Sequence, residues 1–130
     1  MAGAEGNPYE KEARERWGDT DAYRESRRRA PKHTDADRAT IAGEVEDIEA
    51  RMAAVMTSGG EPGGVSAMDL AEEARLHIDR WFYPCSHAMH AGLAEMYTAD
   101  PRFRAHYDER AEGLADFFAE AIRSNQARHG

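Results

Sequence analysis

The segment RWFYPCSHAMH, residues 80–90, gathers three aromatic side chains, the single thiol of the chain, two histidines and a methionine around one proline. A cysteine here has one obvious use, as a nucleophile toward an electrophilic double bond. If Cys85 occupies the first turn of a helix begun after Pro84, unpaired N–H groups and the positive end of the helix dipole favour its thiolate. A cationic His87 or His90 adds to the effect. One unit of lowering raises the thiolate fraction at pH 7.5 from roughly a tenth to about half. The competing reading makes Cys85 a small buried hydrophobe.

The histidines invite a metal site built from His77, His87 and His90, but the pattern is thin. Glu73 and His77 resemble half of a bundle-type carboxylate-histidine motif, with no second Glu-x-x-His copy to complete it. Nothing singles out a haem ligand, and no cofactor is called for. The chain has no Gly-x-Ser-x-Gly elbow, phosphate loop or dinucleotide fingerprint. A pair of Cys85 with His87 or His90 is the one enzymatic arrangement available, without a legible oxyanion hole. The residues fit a binding groove better than an enzyme. Trp81, Met89 and Met96 read first as core, whereas Phe82 and Tyr83, consecutive with Trp81 around a helix, cannot all point inward. At least one of them lines a cleft.

These groups need a scaffold, and the sequence points to helices. Alanine, glutamate and arginine abound, valine and isoleucine are scarce, and no two-residue alternation is sustained, so the fold class is all-α. Thr34 with Asp37 forms a capping-box pattern before Ile41, Val45, Ile48, Met52 and Val55 at helical spacing. SGGEPGGV, residues 58–65, makes a flexible connection. A second box at Ser66 and Asp69 opens the next helix, with Leu70, Ala74, Ile78 and Trp81 on one side, and Pro84 ends or kinks it. A further helix starts near Cys85 and Ser86 and turns Met89, Leu93 and Met96 to the core. Asp100 and Pro101 start a short one, and a last helix carries Leu114, Phe117, Phe118, Ala121 and Ile122. Five helices follow from Thr34 onward.

Residues 1–33 differ in kind, because Tyr9, Trp17 and Tyr23 are their only large apolar side chains. Too little surface is available to offset the entropy of ordering them alone. Asn7 with Pro8, and Asp19 or Thr20, mark helix starts that need a surface to dock on. The expected organisation is therefore an N-terminal flap, residues 1–33, ordered over a helical body, residues 34–130.

Charge narrows the partners. The net charge is −8, and although Arg24, Arg27, Arg28, Arg29 and Lys32 cluster, eight basic against seven acidic residues leave the flap at only +1. Direct nucleic-acid binding is not expected. No apolar run is long enough to span a bilayer and the N-terminus has no apolar signal core, so the expected location is the cytoplasm.

Three blocks carry a specific resemblance: ERWGDTDAYRESRRR (15–29), HIDRWFYPCSHAMHAGLAEMYTADPRF (77–103) and EGLADFFAEAIRSNQARH (112–129). They resemble the TipAS family, the thiopeptide antibiotic-recognition domain of MerR-type multidrug regulators. The resemblance implies a globin-like helical fold without haem, an N-terminal segment that orders on ligand, and a large apolar antibiotic as partner. It also implies a MerR-type DNA-binding domain, fused to the chain or co-expressed with it. By its place in the motif, Cys85 matches a cysteine that captures a dehydroalanine of the ligand. The expected ligand contacts are Trp17, Tyr23, Trp81, Phe82, Tyr83, His87, Met89 and His90. The alternatives are a cysteine-dependent enzyme acting on a small molecule and a haem- or metal-binding helical protein.

Overall fold

A computed structural model describes residues 20–129, and among these there are six α-helices and no strand. Thr20 caps the first helix, α1 (Asp21–Arg29), by accepting the Tyr23 N–H at 3.1 Å. A short 3-10 turn, Ala30–Lys32, then leads to α2 (Asp35–Thr57). There the expected capping box is complete: Thr34 Oγ1 accepts the Asp37 N–H and the Asp37 carboxylate accepts the Thr34 N–H, both at 3.0 Å.

α2 stops in a Schellman motif, with Gly60 N–H donating to Val55 C=O at 2.8 Å and Gly59 N–H to Met56 C=O at 3.1 Å. Gly59 has φ +91°, and a Cβ on Gly60 would lie 2.9 Å from the Val55 carbonyl oxygen. Both glycines are required by the turn. α3 (Val65–Trp81) differs from expectation at its start: the N-cap is Gly64, not Ser66. A turn closed by Gly64 N–H to Glu61 C=O begins the helix early, and the Asp69 carboxylate instead takes Arg128 at 3.0 Å. α4 (His87–Ala99) is capped by Ser86, α5 (Pro101–Arg110) by Asp100, and α6 (Leu114–His129) closes the chain's helical order. All five helices expected after Thr34 are present.

α6 lies at the centre, packed on α3, α4 and α5. It buries Leu114, Phe118 and Ile122, while Ala115, Ala119 and Ala121 allow neighbouring backbones to come close. Ile48 and Met52 of α2, Leu70 and Ala71 of α3, Ala94 of α4 and Tyr107 of α5 complete this core. No described side chain of α1 is buried. α1 is held instead where the chain leaves it. Arg29 donates to the carbonyls of Asp79 and Arg80 at 2.8 and 3.3 Å, and His33 Nε2 to that of Trp81 at 3.0 Å. These are carbonyls of the last turn of α3, which no intrahelical N–H can reach. No helix among the described residues is long and apolar enough to cross a membrane.

Candidate functional site

The break at Pro84 separates α3 from α4, and the space between them is a cavity of about 1040 Å³. Its walls are mostly apolar. Ile78, Phe82 and Tyr83 come from the end of α3 and the turn after it, Met89, Gly92, Leu93, Met96 and Tyr97 from α4, and Phe103 from α5. α1 lies along one side through Thr20, Tyr23, Ser26 and Arg27. Such a volume sits at the upper end for small-molecule sites. Burial raises the Tyr83 hydroxyl to about 12, so it remains a neutral phenol. The Tyr23 hydroxyl is shielded from solvent and has no hydrogen-bond partner, leaving a polar group for an occupant to satisfy.

Of the residues singled out from sequence, Tyr23, Phe82, Tyr83 and Met89 line this cavity, while Trp81, Cys85, His87 and His90 do not. Trp17 lies outside the described residues. Trp81 turns toward α2 and donates its indole N–H to Glu44 Oε1 at 2.8 Å. Gly92, Tyr97 and Phe103 were not anticipated as lining, and Leu93 and Met96 were read as core. A signal for them existed: α4 buries His90 and Ala94 on one face yet carries Met89, Leu93 and Met96 on another. A helix apolar on two faces has two surfaces to cover.

Cys85 departs most from expectation. It precedes the Ser86 N-cap instead of entering the first turn, so the α4 dipole does not act on it as supposed. Its N–H donates to Asp79 Oδ1 at 2.8 Å, and its carbonyl accepts from Arg75 at 2.7 Å. Clamped this way, the residue is 2% exposed, and burial pushes the thiol up to about 11 against the attraction of Arg75. The expected lowering is replaced by a rise, because desolvation outweighs every favourable charge.

His90 supplies no cation either. It is 2% exposed, its Nδ1 has no partner, and burial followed by Arg75 repulsion drives it down to about 4. The consequence is measurable in acid. Between pH 6.5 and 4 the unfolded chain takes up a proton at this histidine while the folded chain does not, so stability falls as pH falls. About 3 kcal/mol is expected to be lost across that window. Urea midpoints recorded from pH 7 to 4 should show the slope in the wild type and a shallower one in His90→Met. Parallel slopes would remove this assignment.

The imagined cluster of His77, His87 and His90 does not form. His77 Nδ1 lies 2.8 Å from Glu44 Oε1, and Glu73 pairs with Arg51 at 2.6 Å. His87 meets Glu72 at 2.9 Å and stacks on His129.

With this geometry in view, the comparisons are decisive. The TipAS antibiotic-recognition domain model matches residues 9–125. The chain belongs to the TipAS family. It is 41% identical over 121 residues to the HTH-type transcriptional activator TipA of Streptomyces coelicolor, covering 93% of this chain and 48% of that protein. It is 34% identical over 114 residues to the activator mta of Bacillus subtilis, covering 88% of this chain and 43% of that one. The chain thus spans about half the length of these curated relatives. Among solved structures, TipAS of Streptomyces lividans in complex with nosiheptide superposes with a TM-score of 0.87 at 41% identity, over 93% of this chain and 85% of that one. The antibiotic-binding domain of a TipA-class multidrug resistance regulator gives 0.64 at 38% identity, over 68% of this chain and 95% of that one. The fold is that of the TipAS family, and the all-helical expectation is met among the described residues. The two curated relatives are transcriptional activators, and the two solved ones are a nosiheptide complex and an antibiotic-binding domain.

Proposed function

We propose that this TipAS-family domain recognises a large, aromatic-rich antibiotic of the thiopeptide class in the cavity between α3 and α4, with the N-terminal segment closing over it. The carrying observation is the cavity of about 1040 Å³ with apolar walls, bordered by α1, in the fold that binds nosiheptide in the Streptomyces lividans relative. Phe82, Tyr83, Met89 and Met96 supply rings and adaptable thioethers for flat heteroaromatic surfaces. The Tyr23 hydroxyl supplies a hydrogen bond, and Trp17 belongs to the closing segment. In a TipA-class regulator such a domain is the sensor, and a DNA-binding portion carries the signal to a promoter.

Titration of the full chain with nosiheptide tests this. Saturation at one equivalent is expected, with about 2.7 kcal/mol of added stability at a hundredfold the Kd. The antibiotic should be recovered without turnover. Continued consumption of it would favour the enzyme reading, and no binding would remove the proposal.

Covalent capture by Cys85 is a second and slower step. The thiolate would add to the β-carbon of a dehydroalanine while the α-carbon takes up a proton, leaving a thioether. Tyr83 stands on the cavity wall two residues from Cys85, which favours this route. A thiol raised by burial from 9.0 to about 11 holds roughly a hundredfold less thiolate at neutral pH, before restricted access to the sulfur is counted. In the free protein, Cys85 should therefore react with iodoacetamide at least about a hundredfold more slowly than free cysteine, and at the ordinary rate in denaturant. With a dehydroalanine-bearing thiopeptide, intact mass should show an adduct appearing after binding and increasing with pH. Cys85→Ser should lose the adduct and keep the affinity. An equal adduct on that variant excludes the capture.

A further inference from the structure

Outside the cavity, three helices bring metal-ligand side chains to one point. Glu72 of α3, His87 of α4 and His129 of α6 each offer a donor atom within 4.8 Å of the others. None of the three lines the cavity. The geometry points to a binding site here for a divalent first-row transition ion of the zinc class, held by two imidazoles and one carboxylate.

The hydrogen bonds around the cluster suit that role. His129 Nδ1 lies 2.9 Å from the Asn125 carbonyl oxygen, which can only accept, so Nδ1 carries the proton and Nε2 of the neutral ring presents a lone pair. Fixing the tautomer through a backbone carbonyl is the usual support of a metal-binding histidine. Glu72 is a carboxylate at neutral pH, held down to about 2 chiefly by Arg75, with Asn125 Nδ2 donating to Oε1 at 2.9 Å. These contacts orient the carboxylate as an outer shell does. His87 Nε2 donates to the same oxygen at 2.9 Å, and an ion replacing that proton would join both ligands.

The two rings now stack with centroids 4.1 Å apart and planes 14° from parallel. To share one ion, one ring must turn about its Cβ–Cγ bond while His87 keeps its place beside Glu72, and the exposed His129 can do so. Two nitrogens and one carboxylate oxygen leave a further position for water, the ligand set of open zinc sites.

Calorimetric titration of the untagged full chain with zinc chloride tests the site. One equivalent should bind, with affinity falling at least about tenfold in both His87→Ala and His129→Ala and unchanged in His106→Ala. His129 is exposed, so its variant keeps the test valid should Glu72→Gln fail to fold. Cobalt should give visible d–d bands without a thiolate charge-transfer band. No zinc binding, undiminished binding in His129→Ala, or a thiolate band that moves the ion to Cys85 would each overturn the assignment.

Discussion

Replacing Gly92 by phenylalanine should weaken antibiotic binding by at least about a hundredfold, close to 2.7 kcal/mol, while the protein becomes no less stable. Gly92 lies inside α4 with its open side on the cavity, and a Cβ there would meet no atom within 4 Å. The helix loses nothing, since glycine is the worse helix former by about 0.5 kcal/mol or more. A phenyl ring extends from this wall position into open space that the proposed ligand needs. Gly92→Ala is the control for the backbone effect, with an even larger gain in helix propensity and almost no lost volume. Nosiheptide titration alongside urea unfolding separates the two effects. Full affinity in Gly92→Phe would place the ligand elsewhere.

Phe118→Ala should remove about 3–5 kcal/mol of stability, a large share of what a small domain has. Phe118 is 3% exposed on α6 and stands 5.4 Å from Tyr107, which is itself 5.4 Å from Tyr97. Tyr97 forms cavity wall and is 5.8 Å from Phe103, so this run of rings joins the core to the site. Urea unfolding should show the lost stability, and ligand affinity should fall with it because the wall loses its backing. Phe118→Leu, which keeps most of the volume, should cost about 1.5 kcal/mol or less. A loss below about 1 kcal/mol in the alanine variant would mean that the wall does not depend on this stack.

The helices were legible where a local signal sets them. Thr34 with Asp37, Ser86, and Asp100 with Pro101 each satisfy their own N-terminal N–H groups within a few residues, so the sequence alone is enough. Ser66 with Asp69 looked equivalent and was not used. The Asp69 carboxylate bonds to Arg128, a partner that only the packed α3 and α6 bring near. Cys85 failed for the same reason: its surroundings are Asp79 and Arg75, reached through the tertiary turn, and their clamp buries the sulfur that a purely local reading left in a first turn. The candidate site was half legible. Three consecutive aromatics must fan out around a helix end, which gave Phe82 and Tyr83 to the cavity and Trp81 to Glu44. Gly92 was invisible because a missing side chain gives no pattern until the opposite wall is known. The meeting of His87 with His129 depends on how α4 and α6 cross, and no spacing along the chain encodes that.

The bonds from Arg29 and His33 to the final carbonyls of α3 bear on how long an occupant stays. In the proposed binding mode α1 borders the ligand and is joined to the body by the short segment 30–34, so its reclosure is an intramolecular event with a millimolar-range effective concentration, favoured further by these bonds. Recapture then competes with escape at every opening. Removing the two Arg29 bonds with Arg29→Ala should shorten residence time far more than it slows arrival.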